Sequence, residues 1–538
     1  MLNSASMTTV RMSAMNVPNR KQLFINPILP GFYPDPSICR VAGDYYLVTS
    51  TFCYFPGVPV FHSRDLVHWE QIGFALNRPS QLDLDGVGHS EGIYAPTIRY
   101  HQGTFYLITT NITKGGNFLV TAGNPAGPWS DPFWLPDAPG IDPSLFFQGD
   151  GKAYYVGTRP IPEGPKYFGN WEIWLQELDL KKMKLSGGVY PLWRGAMRDV
   201  VWPEGPHLYL KDGWYYLMIS EGGTDYHHSV TVARSRQITG PYEGNPGNPV
   251  LTHRQLGWDY PIQNVGHGDL IQTQNGEWWM VALGSRPYGG YYRNLGRETF
   301  LIPVVWEDNW PVVSPGNGRV EFTYPLPDLP FYNVEPREIR DDFTSESLGL
   351  FWQALRTPRN PFWSLKERSG YLRLFAKAEK LTELANPSFI GRRQQHIHFE
   401  AATMMEFQSQ PGETAGLALI QSNEFHFRFE LGAPFKREEQ NRIRLVKCEK
   451  GVETVLAEDV YSSARIYLKV KAVGQEYSFY YGNDGQCYQA LIENIDGRIL
   501  STDVAGGFVG TLMGLFASSN GNPPSGFADF DWFEYEGH

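Results

Sequence analysis

Five aromatic segments recur in the first 310 residues, and this repeat leaves few architectures open to the chain. They are GDYYLVTS from Gly43, GTFYLITT from Gly103, GKAYYVGT from Gly151, GWYYLMIS from Gly213 and GEWWMVAL from Gly276, at intervals of 60, 48, 62 and 63 residues. Each reads as a strand entered through a Gly turn, which is hairpin chemistry. Each is preceded by a short segment at nearly constant distance: PDPSI, YAPTI, IDPSLF, PEGPHLY and GHGDLI. The unit is therefore a strand, a turn, a second aromatic strand and a variable return. Five such antiparallel units predict a five-bladed β-propeller. An aperiodic β-sandwich, the rival, gives no reason for five equivalent starts.

Composition agrees. Gly and Pro together number 96 of 538 residues without a triplet period, which suits many turns between short strands and not a helical bundle. The formal net charge of −11 argues against nucleic acid, whose binding rests on Lys and Arg neutralising phosphates. No apolar run approaches the ~18 residues of a membrane span. The four cysteines, Cys39, Cys53, Cys448 and Cys487, make no disulfide framework or metal-type spacing and read as buried free thiols. The N-terminal segment lacks the apolar run of a signal peptide, so a cytoplasmic location is expected, with residues 1–22 a disordered lead-in.

The repeat places the propeller at 23–324. PLPDLPFYNVEP (325–336), with four prolines, reads as an extended linker. From Asp341 the text changes to alternating strands such as YLRLF, FHFRFE and IYLKVKA, so 337–538 is read as a two-sheet β-sandwich. Its terminal FADFDWFEYE alternates as an edge or closing strand would.

Aligning the repeat glycines, with one inserted residue before Gly151, puts Asp35, Ala95 and Asp142 at the start of a blade's first strand, with Glu204 and His267 one residue upstream of the same register. Such starts converge on one mouth of a propeller's channel. A carboxylate before proline is ordinarily a turn former, but three at one blade position have no such common reason. Two carboxyls facing across a pocket are the equipment for hydrolysing a glycosidic bond, one protonated to assist the leaving oxygen and one ionised to activate water. A third negative charge raises the acid's pKa. Phe52, Tyr54, Tyr94, Trp202, Tyr226 and Trp258 flank these positions and could stack on a sugar face. His267 could hold a hydrated cation on the channel axis. The pairs His227/His228 and His396/His398 read as structural.

The ordered set YPDPSI, SRDLVHWEQIG, RPSQLDLDG, YAPTIRY, IDPSLF, WPEGPHLY, EGGT and LGRET resembles glycoside hydrolase family 43, in its branch of two-domain β-xylosidases and α-L-arabinofuranosidases, from about Asn26 to the C-terminus. The resemblance implies a five-bladed propeller followed by a concanavalin-like sandwich and an inverting reaction. It implies Asp35 as general base, Glu204 as general acid and Asp142 as the orienting, pKa-raising third carboxylate. Arg297 corresponds to a sugar-contacting arginine, Phe52, Ala95 and Thr224 to residues near the terminal sugar, and Arg78 to one near the second sugar. Phe508 corresponds to an aromatic of the sandwich that closes the pocket, and His267 to a histidine that can bind Ca2+; no organic cofactor is implied. Tyr94 stands where many β-xylosidases of this kind carry Trp, which leaves the sugar preference open. The expected function is exo-acting release of terminal D-xylose, with L-arabinofuranose, from xylo- and arabino-oligosaccharides. The alternatives are an enzyme acting mainly as an α-L-arabinofuranosidase and a non-catalytic carbohydrate-binding propeller. A homo-oligomer is left open.

Overall fold

The computed structural model describes residues 22–335, 338–433 and 440–538. The lead-in at 1–21 and residues 336–337, where the linker was read to end, lie outside the described residues. Among the described residues the chain is all-β apart from two four-residue helical turns, Gly497–Leu500 and Thr502–Ala505. No helix among the described residues is long and apolar enough to cross a membrane.

Five antiparallel sheets form the blades, at residues 37–76, 97–134, 141–193, 204–252 and 263–313, here blades I to V. The repeated Gly turns have the backbone that hairpins need. Gln102–Gly103 and Asp212–Gly213 each join two strands with both residues at positive φ, the twist of a two-residue turn matched to paired strands. Leu23–Ile25 pairs with Thr323–Pro325 in a separate two-stranded sheet that joins the two ends of the propeller segment, so Pro325 still belongs to the propeller. The following stretch has no strand but is tied down: the Tyr332 N–H donates to Asp65 and its hydroxyl to Glu70.

Beneath the channel mouth a buried ionic hub joins four blades. The Asp269 carboxylate accepts from Arg99 at 2.8 Å, from Tyr209 at 2.7 Å and from Ser37 at 2.8 Å. Each oxygen is thereby paired, as a buried charge requires.

The sandwich consists of two eight-stranded sheets around an aromatic and aliphatic core that includes Phe343, Phe399, Phe427, Phe429, Leu445 and Phe479. Phe527–Gly537 is flanked on both sides, by Leu372–Phe375 and His398–Phe407. It is an interior strand and not an edge, because alternation reports which face is buried and says nothing of neighbours. One sheet reaches into the propeller: Tyr54–Phe55, from blade I, pairs with Ala354–Leu355 at its end. Around that joint one apolar cluster combines Phe52, Tyr54, Val58 and Ile93 with Phe389, Ile420, Val509 and Phe516. Cys39, Cys53 and Cys448 are buried free thiols as read, but Cys487 is exposed.

Candidate active site

The first strand of a blade must start on the axis and turn at once into its sheet. In four blades this bend is made by a residue with left-handed backbone: Asp35 (φ 54°), Asp142 (φ 51°), Gly205 (φ 56°) and His267 (φ 44°). Non-glycine residues adopt this conformation at a cost and hold it where the surroundings fix it. Ladder irregularities accompany it at Ile141/Ser144, Glu204/His207 and Gly266/Gly268. Such bulges re-aim side chains; with the bend at Asp35, which has no bulge beside it, they turn three carboxyls and an imidazole towards one cavity. Gly205 must be glycine for a second reason. An added Cβ would lie 3.0 Å from the His267 ring.

The cavity measures about 70 Å³ and is lined by Asp35, Phe52, Tyr94, Ala95, Ile141, Asp142, Glu204, Thr224, His267, Arg297 and Phe508. Nine of those residues were singled out in the sequence together with Tyr94; only Ile141 was missed, and as Asp142's neighbour it was the natural addition. Arg78 is not brought there. Its guanidinium is held by the Trp129 carbonyl at 2.9 Å and by Asp131 at 2.6 Å, a contact between blades I and II. Tyr54 is fully buried at the domain joint and does not line the cavity.

The two sides of the cavity differ electrostatically. Asp35 receives Arg297 at 2.7 and 3.4 Å on its two oxygens, and the Ser50 hydroxyl on one of them. His267 Nδ1 stands 3.8 Å from the same carboxylate. Burial alone would raise Asp35, but Arg297, His267 and Ser50 together outweigh it and hold the carboxyl below its ordinary value. Across the cavity Asp142 accepts one N–H, from Gly205 at 3.2 Å. It is pushed up to about 6 by burial and by the Asp35 charge, against the pull of His267. Glu204 is driven well above the carboxylate range, by burial first and then by the charges of Asp142 and Asp35. The site therefore sets a carboxylate that stays ionised opposite one that stays protonated.

Arg297 also donates to Thr224 Oγ1 at 3.1 Å, and its guanidinium lies 5.6 Å from the Phe52 ring and 5.7 Å from the Phe508 ring. Phe508 comes from the sandwich, stacks on Phe52 at 6.1 Å and meets Tyr94 edge-on, while its N–H donates to Ser90 of the propeller. At 37% exposure it is a lid and not a member of the sandwich core. Further aromatics flank the cavity residues in the chain. Trp202 rests against Gly223 and is met edge-on by Phe168, and Tyr226 stacks on Trp258 at 4.3 Å.

For the calcium implied at His267, the donors are one imidazole and a carboxylate already engaged by Arg297. Among the described residues no group of three or more His, Cys, Asp or Glu side chains is arranged to hold a metal. Calcium takes roughly six to eight oxygen ligands, so these residues make no calcium cage, and only a largely hydrated ion fits. His228 is structural as read: buried, it bonds the Asn264 carbonyl at 2.9 Å.

A propeller that gathers an ionised and a protonated carboxyl in a lidded axial cavity has the make-up of a glycoside hydrolase. Residues 24–311 match the family model described as glycosyl hydrolases family 43, and residues 340–536 match the beta xylosidase C-terminal concanavalin A-like domain. The chain belongs to glycosyl hydrolases family 43. It is 48% identical to a xylosidase/arabinosidase of Butyrivibrio fibrisolvens, over 95% of this chain and 99% of that one. It is 42% identical to a non-reducing end alpha-L-arabinofuranosidase of Bacteroides ovatus, over 97% and 96%. The solved xylan beta-1,4-xylosidase of Bacillus halodurans superposes with a TM-score of 0.89 at 39% identity, covering 95% of this chain and all of that one.

Proposed function

We propose that the protein is an exo-acting, inverting glycosidase that releases terminal D-xylose and L-arabinofuranose from oligosaccharides. The observation that carries the reading is the opposed protonation of Asp35 and Glu204 in one small cavity closed by Phe508. In this reading the Glu204 carboxylic acid gives its proton to the leaving oxygen. Asp35, ionised and oriented by Arg297, takes a proton from the water that attacks the anomeric carbon from the other face. Asp142 keeps Glu204 protonated by its charge. The cavity suits a single terminal sugar, for which Phe52, Tyr94, Ala95, Thr224 and Arg297 supply walls and polar contacts. The remaining saccharide leaves past Trp202 and Tyr226, whose faces suit stacking. The relatives' names support both sugars, and the two share a similar hydroxyl pattern.

Two measurements test this. Proton NMR of the first-formed product is expected to show inverted configuration; retention would overturn the mechanism. Paired aryl xyloside and aryl arabinofuranoside substrates are expected both to be cleaved, with Glu204→Gln losing most on poor leaving groups. Activity after chelation, with and without added calcium, reads whether a hydrated ion at His267 takes part.

A further inference from the structure

A second buried carboxyl lies behind the acid side of the cavity, and the reaction as described does not use it. Glu221 ends the strand Trp214–Glu221, and its neighbour Ser220 is the cross-strand partner of Glu204. The Glu221 side chain is fully buried. It points away from the cavity into the segment 194–200, where Oε2 accepts the Ala196 N–H at 3.0 Å and the Met197 N–H also bonds the carboxyl. Oε1 is buried without a hydrogen-bond partner among the described residues. No cation lies within ion-pair distance of it there. A buried carboxyl oxygen without a partner costs stability.

The segment it holds runs directly into Val201–Trp202–Pro203 and the Glu204 strand. Its ends have their own anchors: Arg194 pairs with Glu172 at 3.0 Å, and the Tyr167 hydroxyl donates to the Val200 carbonyl at 2.9 Å. Arg198, between them, is exposed. In the middle, Glu221 holds the backbone at Ala196 and Met197, and Arg254 donates to the Met197 sulfur at 3.7 Å. Gly195 is shaped to admit it, with φ at 94° and the place of a Cβ only 2.3 Å from Oε2. Beyond Glu221 the Gly222 N–H donates to the Val201 carbonyl at 2.8 Å, and Thr224 receives Arg297. One residue thus fastens the approach to Glu204 and the turn that leads to Thr224.

We infer that Glu221 is a positioning residue for proton donation: by holding the loop at Gly195–Met197 it sets the reach of Glu204 to the leaving oxygen. The charged group facing it is Arg254, and burial pushes the Glu221 carboxyl up to about 7. It therefore titrates close to neutrality, where the loop's N–H groups favour its ionised form.

The inference rests on Glu204 being the general acid, and leaving-group dependence separates the two. A residue that acts through the acid matters most where the departing oxygen needs a proton. The experiment measures kcat/KM on aryl glycosides of graded phenol acidity for Glu221→Gln, for Gly195→Ala, whose methyl would displace Oε2, and for Glu204→Gln. Melting temperatures are recorded in parallel. Glu204→Gln is expected to lose steeply more on weakly acidic phenols. Both loop variants are expected to follow the same slope with smaller losses, about tenfold on the poorest leaving group and under about twofold on the best. Equal losses across the series, or none, in the loop variants beside a steep Glu204→Gln would overturn the role of Glu221. A flat series for Glu204→Gln would overturn the acid assignment itself.

Discussion

The propeller and the sandwich are both built of antiparallel strands, yet they place polar groups in opposite ways. In the propeller the first strand of each blade begins on a common axis, so residues distant in sequence meet there. Asp35, Asp142, Glu204 and Arg297 come from four different blades, and the Asp269–Arg99–Tyr209 hub lies beneath them. In the sandwich the strands run side by side, and alternation fills the space between sheets with Phe399, Phe427, Phe429 and Phe479. Its share of the cavity is one ring, Phe508. An axis brings together charge and strained backbone, whereas a two-sheet interior accepts apolar side chains and offers its loops.

The contrast can be broken most forcefully on the axis. Asp35→Ala is expected to lower kcat by about 10²–10⁴-fold on good and poor leaving groups alike, since water activation is needed for both; a loss confined to poor leaving groups would exchange the roles of the two carboxyls. On the sandwich side, Phe508→Ala removes apolar cover worth roughly 1–3 kcal/mol and should raise KM about tenfold at an unchanged melting temperature. A lowered melting temperature with normal KM would make the ring a packing residue. Asp142→Asn removes a negative neighbour of Glu204, so the Glu204 pKa falls and the alkaline limb of the kcat/KM profile moves to lower pH. The acid limb, set by Asp35, is expected to stay in place, because Asp142, pushed up to about 6, is already neutral where Asp35 titrates; an upward shift of the alkaline limb would contradict the arrangement. The smallest effect belongs to the seam. Arg359 reaches Asp83 at 2.7 Å and Asp85 at 2.9 Å across the domains, but all three are well exposed. Arg359→Ala should cost under about 1 kcal/mol in denaturant unfolding and leave KM alone.

How much of this the sequence disclosed follows the same division. The carboxyl register was legible because a repeat supplies its own ruler: once the Gly turns were aligned, Asp35, Asp142 and Glu204 stood at equivalent places. The left-handed bend explains why Glu204 looked one residue out of step, since in blade IV Gly205 takes the bend, whereas the offset of His267, which bends as Asp35 and Asp142 do, goes with the ladder irregularity at Gly266/Gly268. Phe508 was legible through family resemblance and not through periodicity. The partners of Arg78, a carbonyl and an aspartate of the next blade, left no periodic trace to read. Glu221, the first residue of EGGT, was given no role, as a Glu at a strand end ordinarily reads as solvated. The pairing of Tyr54–Phe55 with Ala354–Leu355 was beyond reach, because two residues carry no alternation to read.

That short pairing has a practical meaning for anyone who would recombine such enzymes. A cut between residues 325 and 340 looks clean on paper, but it leaves the Ala354–Leu355 edge without its neighbour and uncovers the apolar cluster shared by Phe52, Phe389 and Phe516. An open edge is a template for a strand from another molecule. A graft that exchanges the sandwich must therefore carry a matched partner for residues 54–55, or the chimaera will look for that strand in its own copies.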